Sequence, residues 1–97
     1  MPNIEVGNEI GVRCDLAPGP FSDQYLVTFE TISGPISGFV SKNNVVEGQE
    51  NYLRAIVTNV EIDVLIVWID GSFFTTTGLA HISPHAHISP HIAASLQ

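Results

Sequence analysis

Positively charged residues are scarce in this chain of 97 residues. Arg13, Lys42 and Arg54 are its only basic residues, against ten Asp and Glu, which gives a formal net charge of −7. Binding to a nucleic acid backbone draws most of its free energy from Lys and Arg side chains that displace counterions. Three scattered cations do not form such a patch, so the composition argues against nucleic acids and anionic membranes as partners.

Cysteine and long apolar runs are also nearly absent. The single cysteine, Cys14, excludes a disulfide within the chain and is typical of a reducing compartment. The longest apolar run, Val64–Ile69, has six residues, whereas a helix needs roughly twenty to span a bilayer. The first residues lack the basic and apolar regions of a signal peptide. We therefore expect a cytoplasmic protein that does not enter a membrane.

β-branched and aromatic residues separated by turn residues dominate the rest of the chain. Segments of this kind are typical of strands. They cover residues 10–14, 25–30, 36–41, 53–61, 64–69 and 73–77. Their spacing of about ten residues, without a helical period, predicts an all-β barrel or sandwich. We favour a small barrel of five to six antiparallel strands over residues 1–83, followed by a short tail or helix over residues 84–97.

Arg54-Ala55-Ile56-Val57 leads through a hairpin to Val64–Ser72 with its Asp70-Gly71 corner, and Leu79-Ala80-His81-Ile82 follows as a short closing turn. On these residues the chain resembles the SH3-like barrel group, which includes Tudor-type domains. The resemblance covers roughly residues 7–83, concerns the fold alone, and implies a small barrel. The peptide-binding motif of true SH3 domains is missing at Asp15-Leu16-Ala17-Pro18.

Aromatic residues are the candidate binding residues. Tudor-like barrels use aromatic side chains beside acidic ones to hold cationic ligands, and the resemblance implies Trp68, Phe73 and Phe74 near Asp70 for this role. Two further large aromatics, Tyr25 and Tyr52, complete the set of predicted binding residues. The alternative is that these aromatics, which recur at strand spacing, are part of the core.

The segment Val64–Ile69 is apolar on both faces of its predicted strand. Side chains alternate between the two faces, so Leu65, Val67 and Ile69 share one of them. A strand with one solvated face should carry polar residues on that face. We therefore predict that these three residues form an interface in a homo-oligomer, most simply a two-fold dimer. The alternative is that the C-terminal tail covers the outward face.

All four histidines lie in a tandem duplication, in which Ala80–His85 and Ala86–His91 have the same six residues. Imidazole is a common metal ligand, so the repeat suggests a metal site. Its members would be His81, His85, His87 and His91. However, the prolines of the repeat oppose a continuous helix, and no Cys or carboxylate is nearby to complete a tetrahedral site. The alternative is a duplication whose first copy finishes the fold.

The sequence contains no catalytic signature. Gly34-Pro35-Ile36-Ser37-Gly38 does not form a nucleophile elbow, and Cys14 on a predicted strand is expected to be a buried thiol. We predict no cofactor. We expect a self-associating binding module that also binds a protein partner. Two alternatives stay open: a small-molecule binder or enzyme with a site between subunits, and a metal-binding protein that uses the histidine tail.

Overall fold

The computed structural model describes residues 4–73, 79–82 and 88–89. Within them the chain is all-β, with one 3₁₀ turn at Lys42–Asn44 and no α-helix, and its antiparallel sheet curls into a half-barrel. The strands are β1 (Glu9–Pro18), β2 (Gln24–Thr31), β3 (Gly34–Ser41), β4 (Val45–Val46), β5 (Asn51–Val60), β6 (Leu65–Trp68), β7 (Ser72–Phe73), β8 (Leu79–Ile82) and β9 (Ile88–Ser89). The all-β prediction is confirmed.

Strand β1 belongs to both halves of the sheet. Its residues 9–14 pair with β5, and its residues 15–18 pair with β2. The strand order is therefore β7-β3-β2-β1-β5-β6-β8, with β4 on β5 and β9 on β1. At the far side of the curl, the Ile32 N–H donates a hydrogen bond to the His81 carbonyl over 2.9 Å. This bond connects the end of β2 with β8.

Alternate residues of the main strands supply the core. The buried apolar residues are Ile10, Val12, Cys14, Val27, Phe29, Val40, Leu53, Ala55, Val57, Leu65, Val67, Ile69, Ala80 and Ile82. No polar or charged residue is buried within the described ranges. Each fully buried Val, Leu or Ile contributes roughly 1.5–3 kcal/mol relative to an exposed one. The core therefore depends on inward residues from both halves of the curled sheet.

The end of β1 differs from the sequence expectation. β1 extends to Pro18 instead of ending near Cys14, because its last residues pair with β2 as far as Pro18 and Tyr25. A 3₁₀ turn follows β3 at Lys42–Asn44, where the Ser41 Oγ accepts a hydrogen bond from the Asn43 N–H. Val45–Val46 itself forms β4.

The chain changes halves of the sheet at the corner Asp70-Gly71. Ile69 is still part of the core, whereas β7 just beyond the corner pairs with β3. A Cβ atom at Gly71 would lie 2.7 Å from Val40 Cγ1 and 2.9 Å from the Phe39 carbonyl oxygen. Only glycine permits this approach without a shift of the neighbouring strand.

We predict that Gly71→Ala destabilises the fold. The added methyl group overlaps atoms of β3, and overpacking of this kind costs about 1–3 kcal/mol. The matched control is Gly48→Ala, whose Cβ has an ordinary contact of 3.5 Å with the Glu50 carbonyl oxygen and should change stability by less than about 0.5 kcal/mol. Urea unfolding of both variants measures the difference, and equal midpoints would show that the corner tolerates a side chain.

Candidate functional site

The outward side of β5, β6 and β8 carries two rows of cross-strand neighbours. One row joins Ile56, Trp68 and Leu79, and the other joins Asn59, Ile66 and His81. We call these six residues the outer face. None of them is Asp, Glu, Lys or Arg, and the members of the first row are 41, 43 and 45% exposed in that order. The outer face therefore presents large apolar side chains to solvent.

The inward side of β6 and the adjoining Ile69 carry the residues that the sequence assigned to an interface. Leu65, Val67 and Ile69 are 2, 0 and 1% exposed in the single chain. They pack within the core and leave no surface for a second subunit, so this assignment is corrected. The alternate residues Ile66 and Trp68 are the ones that face outward.

A β-bulge shapes the part of the outer face that contains Asn59 and Ile66. The register between β5 and β6 shifts between Val57 and Asn59. The Thr58 hydroxyl donates a hydrogen bond to the Ile66 carbonyl over 3.1 Å at this point. An extra residue in one strand bends it and increases the local twist. The bulge therefore places Asn59, rather than Thr58, opposite Ile66.

A cleft of about 210 Å³ borders the outer face. Its walls include Ile56, Trp68 and Asp70 together with the ion pair of Arg54 and Glu9. The Arg54 Nε and Nη2 atoms donate to the two carboxylate oxygens of Glu9 over 3.0 and 3.1 Å. This two-point geometry fixes the plane of the guanidinium group. Because both line this cleft, Trp68 and Asp70, two of the predicted binding residues, lie at one site.

The other predicted aromatics within the described residues do not join them there. Phe73 packs against the core and meets Phe29 edge to face, with ring centroids 5.9 Å apart. The Lys42 Nζ lies 4.8 Å from the centre of the Tyr25 ring, and the Tyr52 hydroxyl donates to the Glu50 carboxylate over 2.7 Å. Phe74 lies outside the described residues. Among the predicted aromatics in the described ranges, only Trp68 lines the cleft.

Each of the two tyrosine hydroxyls forms a hydrogen bond with a glutamate side chain. The hydrogen bond with Glu47 raises the pKa of Tyr25, and the bond with Glu50 raises the pKa of Tyr52. In each case the neighbouring carboxylate stabilises the protonated phenol as a donor. Both rings therefore stay neutral over the physiological range and act as apolar bodies with a single donor each.

Every basic side chain of the protein already has a partner within the chain. Arg13 is 3.1 Å from the Glu50 carboxylate, Arg54 binds Glu9, and Lys42 lies over Tyr25. Exposed pairs of this kind contribute only about 0–1 kcal/mol. Their geometry nevertheless directs each positive charge toward this chain's own residues.

Of the four candidate metal ligands, only His81 lies within the described residues. It is exposed on the outer face. His85, His87 and His91 lie outside those residues. Over residues 4–73, 79–82 and 88–89, no group of three or more His, Cys, Asp or Glu is placed to hold a metal ion. The histidine metal site stays a prediction.

Cys14 lies on the inward side of β1, where that strand passes from β5 to β2. Burial raises the pKa of its thiol to about 12, and the negative charge of Asp15 adds to the effect. A thiol with this pKa is almost entirely protonated at neutral pH, so it is a poor nucleophile. The expectation of a buried thiol is confirmed.

Comparison with known proteins gives no match for this chain, among protein families, curated proteins or solved structures. In the described part of the chain, no helix has the length and apolar character needed to cross a membrane. The site is therefore defined by its own geometry.

Sequence reasoning missed Ile56 and Leu79 as members of the outer face, although Ile56 stands out of phase with the buried pair Ala55 and Val57.

We predict that the Cys14 thiol makes stability fall as the pH rises from about 9 to 12. In this range the unfolded chain releases a proton that the folded chain retains, so deprotonation favours unfolding. Well below pH 9 the thiol is protonated in both states and contributes no slope. Urea unfolding at a series of pH values measures the effect.

The control for this prediction is Cys14→Ala, which keeps both tyrosines and removes only the thiol. Its stability should depend less on alkaline pH than that of the unchanged protein. Equal slopes for the two proteins would contradict the assignment. Thiol reagents at pH 8 provide a second measurement, since the folded protein should react at least about 100-fold more slowly than the unfolded chain.

Proposed function

We propose that this protein is a small β-barrel interaction module that self-associates through its outer face, most simply as a two-fold dimer. The row of Ile56, Trp68 and Leu79 is the observation that supports the proposal. Contiguous apolar patches on soluble proteins typically mark interaction sites. Tryptophan is also enriched among the residues that contribute most to binding energy.

Charge favours a second copy of the chain as the occupant. The protein has a net charge of −7, so two molecules repel each other over most orientations. None of the six residues of the outer face is Asp, Glu, Lys or Arg, and of the two carboxylates in the neighbouring cleft Glu9 is paired with Arg54. Two outer faces therefore meet with little electrostatic cost, whereas like charges brought together would oppose association.

The pairing of β1 with both halves of the sheet supports the resemblance to the SH3-like barrels as part of this proposal. We also propose a reducing, cytoplasmic location, because the only cysteine of the chain is a buried free thiol. With each basic side chain directed to a partner inside the chain, the proposed partners are proteins rather than polyanions.

A small-molecule site between subunits is a second candidate function. The cleft beside the outer face shares Ile56 and Trp68 with it, so a dimer partner on the outer face would cover part of the cleft. Covering would also lower the dielectric constant around the Glu9–Arg54 pair and strengthen its interaction with a polar ligand. A thermal-shift screen of metabolites against the dimer tests this candidate, and a flat result at millimolar ligand would contradict it.

We predict that Trp68→Glu dissociates the dimer. The variant removes the largest apolar side chain of the outer face and brings two carboxylates together at the interface. Loss of a central aromatic residue costs about 2 kcal/mol or more, which corresponds to a dissociation constant about 30-fold higher. Sedimentation velocity over a range of concentrations measures the change.

Phe21→Glu is the matched control, because Phe21 is 66% exposed and lies outside the outer face. It adds the same charge and should leave the dimer unchanged. The unchanged protein offers an independent readout, since Trp68 is the only tryptophan. Its emission should shift to shorter wavelength as association excludes water. A monomer at all concentrations, with constant emission, would overturn the proposal.

A further inference from the structure

The two copies of the duplicated hexapeptide contribute strands to two different positions in the sheet. The first copy contributes Ala80, His81 and Ile82 to β8, which pairs with β6. The second copy contributes Ile88 and Ser89 to β9, which pairs with β1. The same short sequence therefore extends the sheet at two separate strands.

The register of the two copies is equivalent. Ile82 is paired with Leu65, and its counterpart Ile88 is paired with Val12. Both partners are core residues, at 2 and 0% exposure. Each copy thus places the backbone of its isoleucine opposite a core residue.

The edge of β1 at Gly11 and Val12 accepts a strand by backbone pairing. On their other side these two residues are paired with Arg54 and Leu53 of β5. Among the described residues, Ile88 and Ser89 of β9 pair with the remaining edge of these two residues. The chain's own segment therefore occupies this edge by backbone pairing.

We propose that this edge is a strand-acceptor site for an extended Ala-His-Ile-Ser-Pro-His segment, and that a second molecule of this chain supplies that segment in place of the chain's own Ile88–Ser89. The segment that occupies the edge in this structure identifies the chemistry of the ligand. Exchange of an identical segment between molecules reproduces the same contacts, so it sacrifices no pairing energy. Addition of a strand to a sheet edge is also a common mode of peptide recognition.

The proline after each Ile-Ser pair limits the exchange. Pro84 and Pro90 have no N–H group to donate to a strand. An added segment therefore pairs over a few residues only, and a long open edge that recruits further chains does not form. The expected product is a discrete complex rather than a fibre.

The proposal is tested with full-length acceptor variants and a synthetic peptide of residues 85–91 that carries a fluorophore. Ile88→Pro and Ser89→Pro each remove one N–H group of β9, and both are made because only one of two adjacent antiparallel pairs exchanges backbone hydrogen bonds. The chain's own segment competes at an effective concentration of about 1 mM. Fluorescence anisotropy should therefore show at least about tenfold tighter peptide binding to one of the variants than to the unchanged protein.

The control peptide is methylated on the backbone nitrogens of its Ile and Ser residues, which removes the donors needed for pairing. It should not bind. Absence of binding to both proline variants would overturn the proposal, as would equal affinity for the unchanged protein. Equal binding of the methylated peptide would overturn it as well, because recognition would then not depend on strand addition. Circular dichroism checks that each variant retains its sheet.

Donation by a second molecule is measured with full chains. Labelled unchanged protein is titrated with unlabelled Ile88→Pro, and labelled Ile88→Pro is titrated with the same acceptor. Both mixtures contain intact outer faces, so any dimer formed there is common to them. Tighter binding of the labelled unchanged protein reports strand donation alone, and equal binding would overturn the exchange between molecules. The result is therefore separate from that of the proposed dimer.

Discussion

The pairing of β1 with neighbours in both halves of the sheet is the constraint on which the rest of the structure depends. Residues 9–14 hold β5, and residues 15–18 hold β2. Because this one strand passes through both halves, the sheet folds over its own inward side chains. The described part of the chain has no α-helix that could cover them instead. The core residues of β6 and β8 acquire their burial from this curl, because no second layer is present among the described residues to cover them.

The fold was largely predictable because strand signals are local. Alternation, β-branched residues and turn residues predicted the main strands, and β2, β3, β5 and β6 lie where they were expected. The face of β6 was not predictable in the same way. A period of two separates Leu65 and Val67 from Ile66 and Trp68, but both sets are apolar, so the sequence does not specify which set points inward. The curl of the sheet decides this, and the curl depends on contacts between distant strands.

The candidate site depends on register to an even greater extent. Ile56 and Leu79 are 23 residues apart in the sequence, and each becomes part of the outer face only through its pairing with Trp68. Phe73 illustrates the opposite case. It is close to Trp68 in sequence, yet the corner at Gly71 carries it to β3 and to the core. Proximity along the chain therefore suggested a cage of aromatics that the described residues do not assemble.

The two proposed contact surfaces use different physical forces. The outer face offers apolar side-chain area, so water release would drive the proposed association there. The edge of β1 offers backbone donors and acceptors, so its selectivity comes from hydrogen bonds and from the alternation of the added segment. An acidic chain whose few cations are already paired has little electrostatic attraction to offer a copy of itself. The proposed association between copies therefore relies on surfaces without Asp, Glu, Lys or Arg, and these two surfaces have that property.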